Sequence, residues 1–185
     1  MPPQAARILL TRPSDQSARF ARTVRERFGG RSEILESPLL AVRHLRPALP
    51  AGPFDAVVFT SESAVSAALP LRRHLPQRAF AVGDRTAAAA RAAGFDAQSA
   101  DGDADALVAM LTAADPGPVL HLHGAETRGE VVPRLRAAGI PAAGVTVYAQ
   151  EPQALSRQAL SWLADVRPVI APLFSPRTAS LFSAA

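Results

Sequence analysis

Five short turns hold the residues of this chain best suited to chemistry: Thr11-Arg12-Pro13, Thr60-Ser61-Glu62-Ser63, Gly83-Asp84-Arg85-Thr86, His123-Gly124-Ala125 and Ser175-Pro176-Arg177. Each follows a short apolar run and leads toward a helical one. In open parallel sheets ligands bind at the carboxyl ends of strands, where such loops point free N–H groups outward. Backbone donors, hydroxyls and guanidinium groups in that position suit an anion, and Arg can give two parallel hydrogen bonds to a carboxylate or phosphate. A lone Ser or Gly at a helix start is usually only a cap. Recurrence of these turns in both halves of the chain points instead to an anion-binding cleft, with Arg12, Thr60, Ser61, Ser63, Gly83, Arg85, Thr86, Gly124 and Ser175 as its candidate binding residues.

Residue types missing from the chain narrow the chemistry. All 20 basic residues are Arg. A P-loop lysine, a Schiff-base lysine and the lysine of a phosphorylated receiver domain are therefore excluded. Without Cys there is no disulfide, thiolate nucleophile or cysteine-held metal. The formal charge of +4 favours an anionic partner without naming one. His121 and His123 project from one face of a strand, but no third ligand is evident nearby, so no metal is expected. Residues 101–105 open like a calcium loop, yet Ala106 and Thr112 stand where that loop needs Gly and Glu, so Asp103 and Asp105 read as helix-capping acids. Arg-rich stretches at 19–31 and 72–78 fall at helical spacing and read as solvated faces rather than a nucleic-acid surface. Apolar residues make up 48% of the chain, but no run approaches the roughly 18–20 needed to span a bilayer. The first residues lack a charged-then-apolar signal pattern, so a soluble, cytoplasmic protein is expected.

The elements that must position these turns alternate between short apolar runs and Ala/Arg/Leu-rich stretches, the pattern of parallel sheets covered by crossover helices. Strands are expected over 7–10, 32–35, 56–59, 78–82, 96–99, 119–123, 145–148 and 169–174, and helices over 14–28, 61–69, 84–93, 103–114, 127–138, 152–164 and from 176 onward. Gly29, Gly94 and Gly139 stand at helix ends, where a left-handed cap suits a residue without Cβ. Trp162 is expected in the core. The chain also repeats itself: 8–40 and 119–150 share one layout, and 58–64 finds an echo in 173–179. Nothing after Ala185 answers to 81–86, so the second copy is expected to be incomplete. Pro-rich joints at 43–53 and 149–152 divide the α/β chain into an outer lobe, residues 1–36 with 150–185, and an inner lobe, residues 37–149.

Val-Phe-Thr-Ser-x-x-Ala-Val at 58–65, Ala-Val-Gly-x-x-Thr-Ala at 81–87, Ala-Gly-Phe at 93–95, Val-Leu-x-x-x-Gly at 119–124, Arg128-Gly129 with Leu135, and Val147-Tyr148 together resemble uroporphyrinogen-III synthase, from about residue 7 to 182. The resemblance implies two lobes, each a parallel sheet flanked by helices, joined by a two-stranded linker; against that pattern the outer lobe is incomplete. It implies closure of hydroxymethylbilane, a linear tetrapyrrole bearing acetates and propionates, into a ring with inversion of its last pyrrole and loss of water. No metal or organic cofactor is implied, and a monomer acting on a small polycarboxylate, with neither nucleic acid nor membrane, is expected. Tyr148, the only tyrosine, matches the family tyrosine proposed to protonate the departing hydroxyl; a phenol holds its proton at neutral pH and can give it up to a leaving oxygen. On the residues alone Tyr148 also reads as a half-buried strand tyrosine. A two-lobed anion-binding module without chemistry, or an inactive fragment of the synthase, is the competing reading.

Overall fold

The computed structural model describes residues 5–127 and 129–185. Arg128 of the Arg128-Gly129 motif lies outside the described residues. In chain order the elements are β1 (Ala6–Leu10), α1 (Ser14–Phe28), β2 (Ser32–Glu36), β3 (Leu40–His44), β4 (Ala56–Phe59), α2 (Glu62–Ala68), β5 (Arg78–Ala81), α3 (Asp84–Ala92), β6 (Asp96–Ser99), α4 (Ala104–Ala114), β7 (Val119–Gly124), α5 (Val131–Ala137), β8 (Ala142–Pro152), α6 (Arg157–Ala164), β9 (Val169–Ile170) and α7 (Pro176–Ser183). The pairs β1–β2, β1–β9, β4–β5, β4–β7, β5–β6 and β7–β8 are all parallel. This is the α/β architecture that the alternation of apolar and helical runs implies.

Two compact units divide the chain, one formed by Met1–Val42 with Glu151–Ala185 and the other by Arg43–Gln150. The first carries a three-stranded sheet in the order β2-β1-β9 over a core of Leu9, Leu39, Leu155 and Ala159. At the start of β1, Arg7 pairs with Asp165 at 2.6 Å and lies 5.0 Å from the Trp162 ring centroid. Trp162 is thus half-buried beneath a guanidinium rather than part of the core. The second unit is built on the six-stranded sheet of order β3-β8-β7-β4-β5-β6. Its central strand β4 is buried on both faces: Val57 and Phe59 join one apolar cluster and Ala56 and Val58 the other, as side-chain alternation dictates. The chain passes between the units in β3 and β8, neighbours in that sheet.

Several boundaries differ from those expected. The helix read as 127–138 begins only at Val131, because Gly129 (φ 82°) and Glu130 (φ 44°) both take left-handed conformations that interrupt a right-handed helix. Pro152 closes β8, and the next helix begins at Arg157, where the Ser156 side chain accepts from the Ala159 N–H. The strand expected over 169–174 shrinks to Val169–Ile170. The stretch read as a linker from residue 43 opens with the last two residues of β3.

The loop into β7 depends on a glycine. Gly117 has φ 77°, a Cβ there would collide with the Asp55 carboxylate, and the Asp55 N–H donates to the Pro118 carbonyl at 2.8 Å. Gly117→Ala is expected to lower unfolding free energy by about 2 kcal/mol, read as a fall in the urea midpoint at unchanged slope. An unmoved midpoint would show that the loop relaxes freely.

Candidate functional site

At its carboxyl end β4 delivers Thr60 and Ser61. Ser61 is extended (φ −156°, ψ 151°), and its Oγ accepts the Ala64 N–H at 3.1 Å, capping α2. The same oxygen lies 3.0 Å from the Tyr148 hydroxyl. Tyr148 reaches this position through a fault in the β7–β8 ladder. His123 opposes Thr146, but Gly124 opposes Tyr148, a bulge that leaves Val147 without a partner on β7. Val147 packs into the core, and the Ala125 N–H donates to the Tyr148 carbonyl at 2.8 Å.

Gly124 makes the room. A Cβ built on it would stand 2.6 Å from Tyr148 Cζ and 2.9 Å from both Cε2 and the hydroxyl oxygen. The phenol therefore occupies the volume that any side chain at position 124 would need. That explains in packing terms a glycine first read as a turn residue; the structure places it as the last residue of β7.

Two histidines complete the cluster, and sequence reasoning had considered them only as metal ligands. Parallel pairing sets His121 beside Val58, which brings its Nε2 to 3.2 Å from Thr60 Oγ1. His121 is only 3% exposed. Burial, with His123 adding a smaller effect, pushes its pKa down to about 3, so the ring is neutral near pH 7. The His123 ring lies 4.9 Å from it, centroid to centroid. His123 Nδ1 is 2.7 Å from the Gly124 carbonyl, which can only accept, so Nδ1 carries the proton. Among the described residues no group of three His, Asp or Glu is placed to hold a metal ion. The signal that could have found these residues is their i, i+2 spacing one and three positions before Gly124.

The other expected residues of this unit divide between exposed and buried. Gly83 is the residue before α3, and a Cβ there would meet nothing within 4 Å, so open space lies in front of its backbone. Arg85, exposed in the first turn of α3, pairs with Glu62 of α2 at 3.0 Å. Ser63 is half-buried in the first turn of α2, whereas Thr86 is only 6% exposed. In the first unit Arg12 reaches Gln16 Oε1 at 2.7 and 3.0 Å, and its guanidinium lies 4.2 Å from the Phe174 ring centroid. Ser175 follows Phe174 and caps α7 by accepting the Thr178 N–H at 3.1 Å. The structure thus brings Thr60, Ser61, Gly124 and Tyr148 together in one unit, and in the other sets Arg12 against Phe174, the residue before Ser175.

A family model described as "Uroporphyrinogen-III synthase HemD" matches residues 19–185. The chain is similar in fold to the crystal structure of uroporphyrinogen-III synthetase from Helicobacter pylori 26695, with 19% identity and a TM-score of 0.67 over 97% of this chain and 78% of that one. It is also similar to a mutant uroporphyrinogen III synthase from the extremely thermophilic bacterium Thermus thermophilus, with 18% identity and a TM-score of 0.52 over 80% of this chain and 64% of the other. No curated protein matches the sequence.

Proposed function

The chain belongs to the uroporphyrinogen-III synthase family, and from that premise we propose that its tyrosine, held by Ser61, protonates the hydroxyl that hydroxymethylbilane loses as the ring closes. The electronics belong to the substrate. A pyrrole nitrogen pushes out the terminal hydroxyl to leave an azafulvene, the substituted carbon of the last pyrrole attacks it, and the spiro intermediate fragments and recloses inverted. The protein must supply one proton and hold a folded conformer. Water leaves with the proton of Tyr148, and closure returns a proton from the pyrrole carbon that becomes substituted.

The observation that carries this reading is the 3.0 Å contact between Ser61 Oγ and the Tyr148 hydroxyl. Ser61 already accepts from Ala64, so its own O–H is available to donate to the phenol oxygen. The Tyr148 proton is then left for a departing oxygen. Thr60, Ser63, the Gly83 N–H and Arg85 receive substrate carboxylates in this unit. No helix among the described residues is long and apolar enough to cross a membrane. With the reading go a cytoplasmic location and a monomer that acts without nucleic acid or cofactor.

The test supplies hydroxymethylbilane generated enzymatically in place and separates the isomers formed. Isomer III is expected. Only isomer I, the product of uncatalysed closure, would overturn the reading and leave a binding module. Tyr148→Phe is expected to reduce kcat about tenfold, less than the roughly 100-fold or more usual for lost acid catalysis, because water can substitute as proton donor. An unchanged kcat would remove Tyr148 from the chemistry.

A further inference from the structure

We propose that His121 is a positioning residue: as the Nε2–H tautomer it donates to Thr60 Oγ1 and so turns the threonine's own proton outward, making Thr60 a fixed donor to a substrate carboxylate. The inference rests on the cyclase reading for the identity of the anion. The geometry stands without it. His121 Nε2 is 3.2 Å from Thr60 Oγ1, the imidazole is almost fully buried, and Thr60 is half-buried at the carboxyl end of β4.

A threonine hydroxyl has one proton and can rotate, so alone it offers an incoming anion either a donor or a repelling lone pair. A neutral imidazole removes the ambiguity, because its Nε2 either carries a proton or does not. If Nε2 were bare, Thr60 would donate inward and present only lone pairs to the solvent side. With Nε2–H, Thr60 accepts inward and its O–H is free for a carboxylate. A ring that stays neutral also adds no second charge competing for the same anion. The neighbouring His123 is fixed in the opposite sense, since its Nδ1 proton is held by the Gly124 carbonyl.

The first test is the tautomer itself. Long-range proton–nitrogen spectra of the labelled protein are expected to show His121 protonated at Nε2. A ring protonated at Nδ1 overturns the proposal, whatever the activity. The second test is kinetic. His121→Met is expected to raise KM for hydroxymethylbilane about fivefold with kcat within twofold, and His121→Gln, whose amide can replace the Nε2 donor, is expected to restore KM. In a Thr60→Val background His121→Met is expected to have no further effect on KM; additive effects would mean that His121 does not act through Thr60. Should the unmodified protein form no isomer III, the cyclase reading fails, and the tautomer result still decides the orientation of Thr60.

Discussion

Gly124→Ala is expected to reduce kcat about 100-fold, more than removing the tyrosine hydroxyl itself, while the protein stays folded. The new methyl would lie 2.6 Å from Tyr148 Cζ, so the ring must leave its place. Because the collision is with the end of a side chain, the ring can swing away, and the folding penalty is close to the loss of the Ser61 hydrogen bond, about 1 kcal/mol. In Tyr148→Phe the ring keeps its position and only the proton is lost. In Gly124→Ala the whole ring is displaced from beside Ser61, so both the proton and the positioned ring are lost. The combination Gly124→Ala with Tyr148→Ala is expected to regain stability without regaining turnover. A Gly124→Ala enzyme within twofold of the unmodified kcat would show that Tyr148 and Gly124 do not act together.

The second large effect is on stability in mild acid. His121 has its pKa depressed from 6.5 to about 3 in the folded protein, by burial first and by His123 second. Above pH 6.5 the ring is neutral folded or unfolded, and the stability it permits is fully present. Below that value the unfolded ring takes up a proton that the folded ring refuses. Unfolding free energy should therefore fall by about 1.4 kcal/mol per pH unit as pH drops from 6.5 toward 3, on the order of 4 kcal/mol across the window. That is a large part of the stability of an ordinary domain. Glu33 and Asp165, lowered chiefly by hydrogen bonds from Arg167 and Arg7, and Asp103, lowered by the N–H groups of Ala106 and Asp105, act below their ordinary values of 4.5, 3.8 and 3.8. Denaturation at pH 7.0, 6.0 and 5.0 therefore samples mainly histidine. His121→Gln is expected to flatten this limb by about one proton. Parallel curves for the two proteins would contradict the depressed pKa.

What could be read from the sequence follows from how local each signal is. The helix over 14–28 and the strands over 56–59 and 96–99 match the structure residue for residue, because each is bounded by its own Pro, Gly, Asp or Ser. Asp103 caps α4 through the N–H groups of Asp105 and Ala106, as an acid before an apolar run should. β3 escaped notice because its partner β8 lies about a hundred residues away and only Leu40 within it is buried. Non-local pairing also hid the site. That Thr60 meets His121 follows from the β4–β7 register, and that Tyr148 faces Gly124 follows from a one-residue bulge; neither leaves a mark in the local pattern. The i, i+2 histidines were visible, but strand alternation told only that they share a face, not which hydroxyl that face would meet.

Ser61 Oγ begins α2 and touches the tyrosine hydroxyl with the same atom. Opening of the first turn of this seven-residue helix therefore slackens the hold on the Tyr148 hydroxyl in the same event, with no intervening contact to absorb the motion. Reactivity would then be metered by how often one short helix frays, and substitutions that loosen its start would lower turnover well before they change the temperature at which the fold melts.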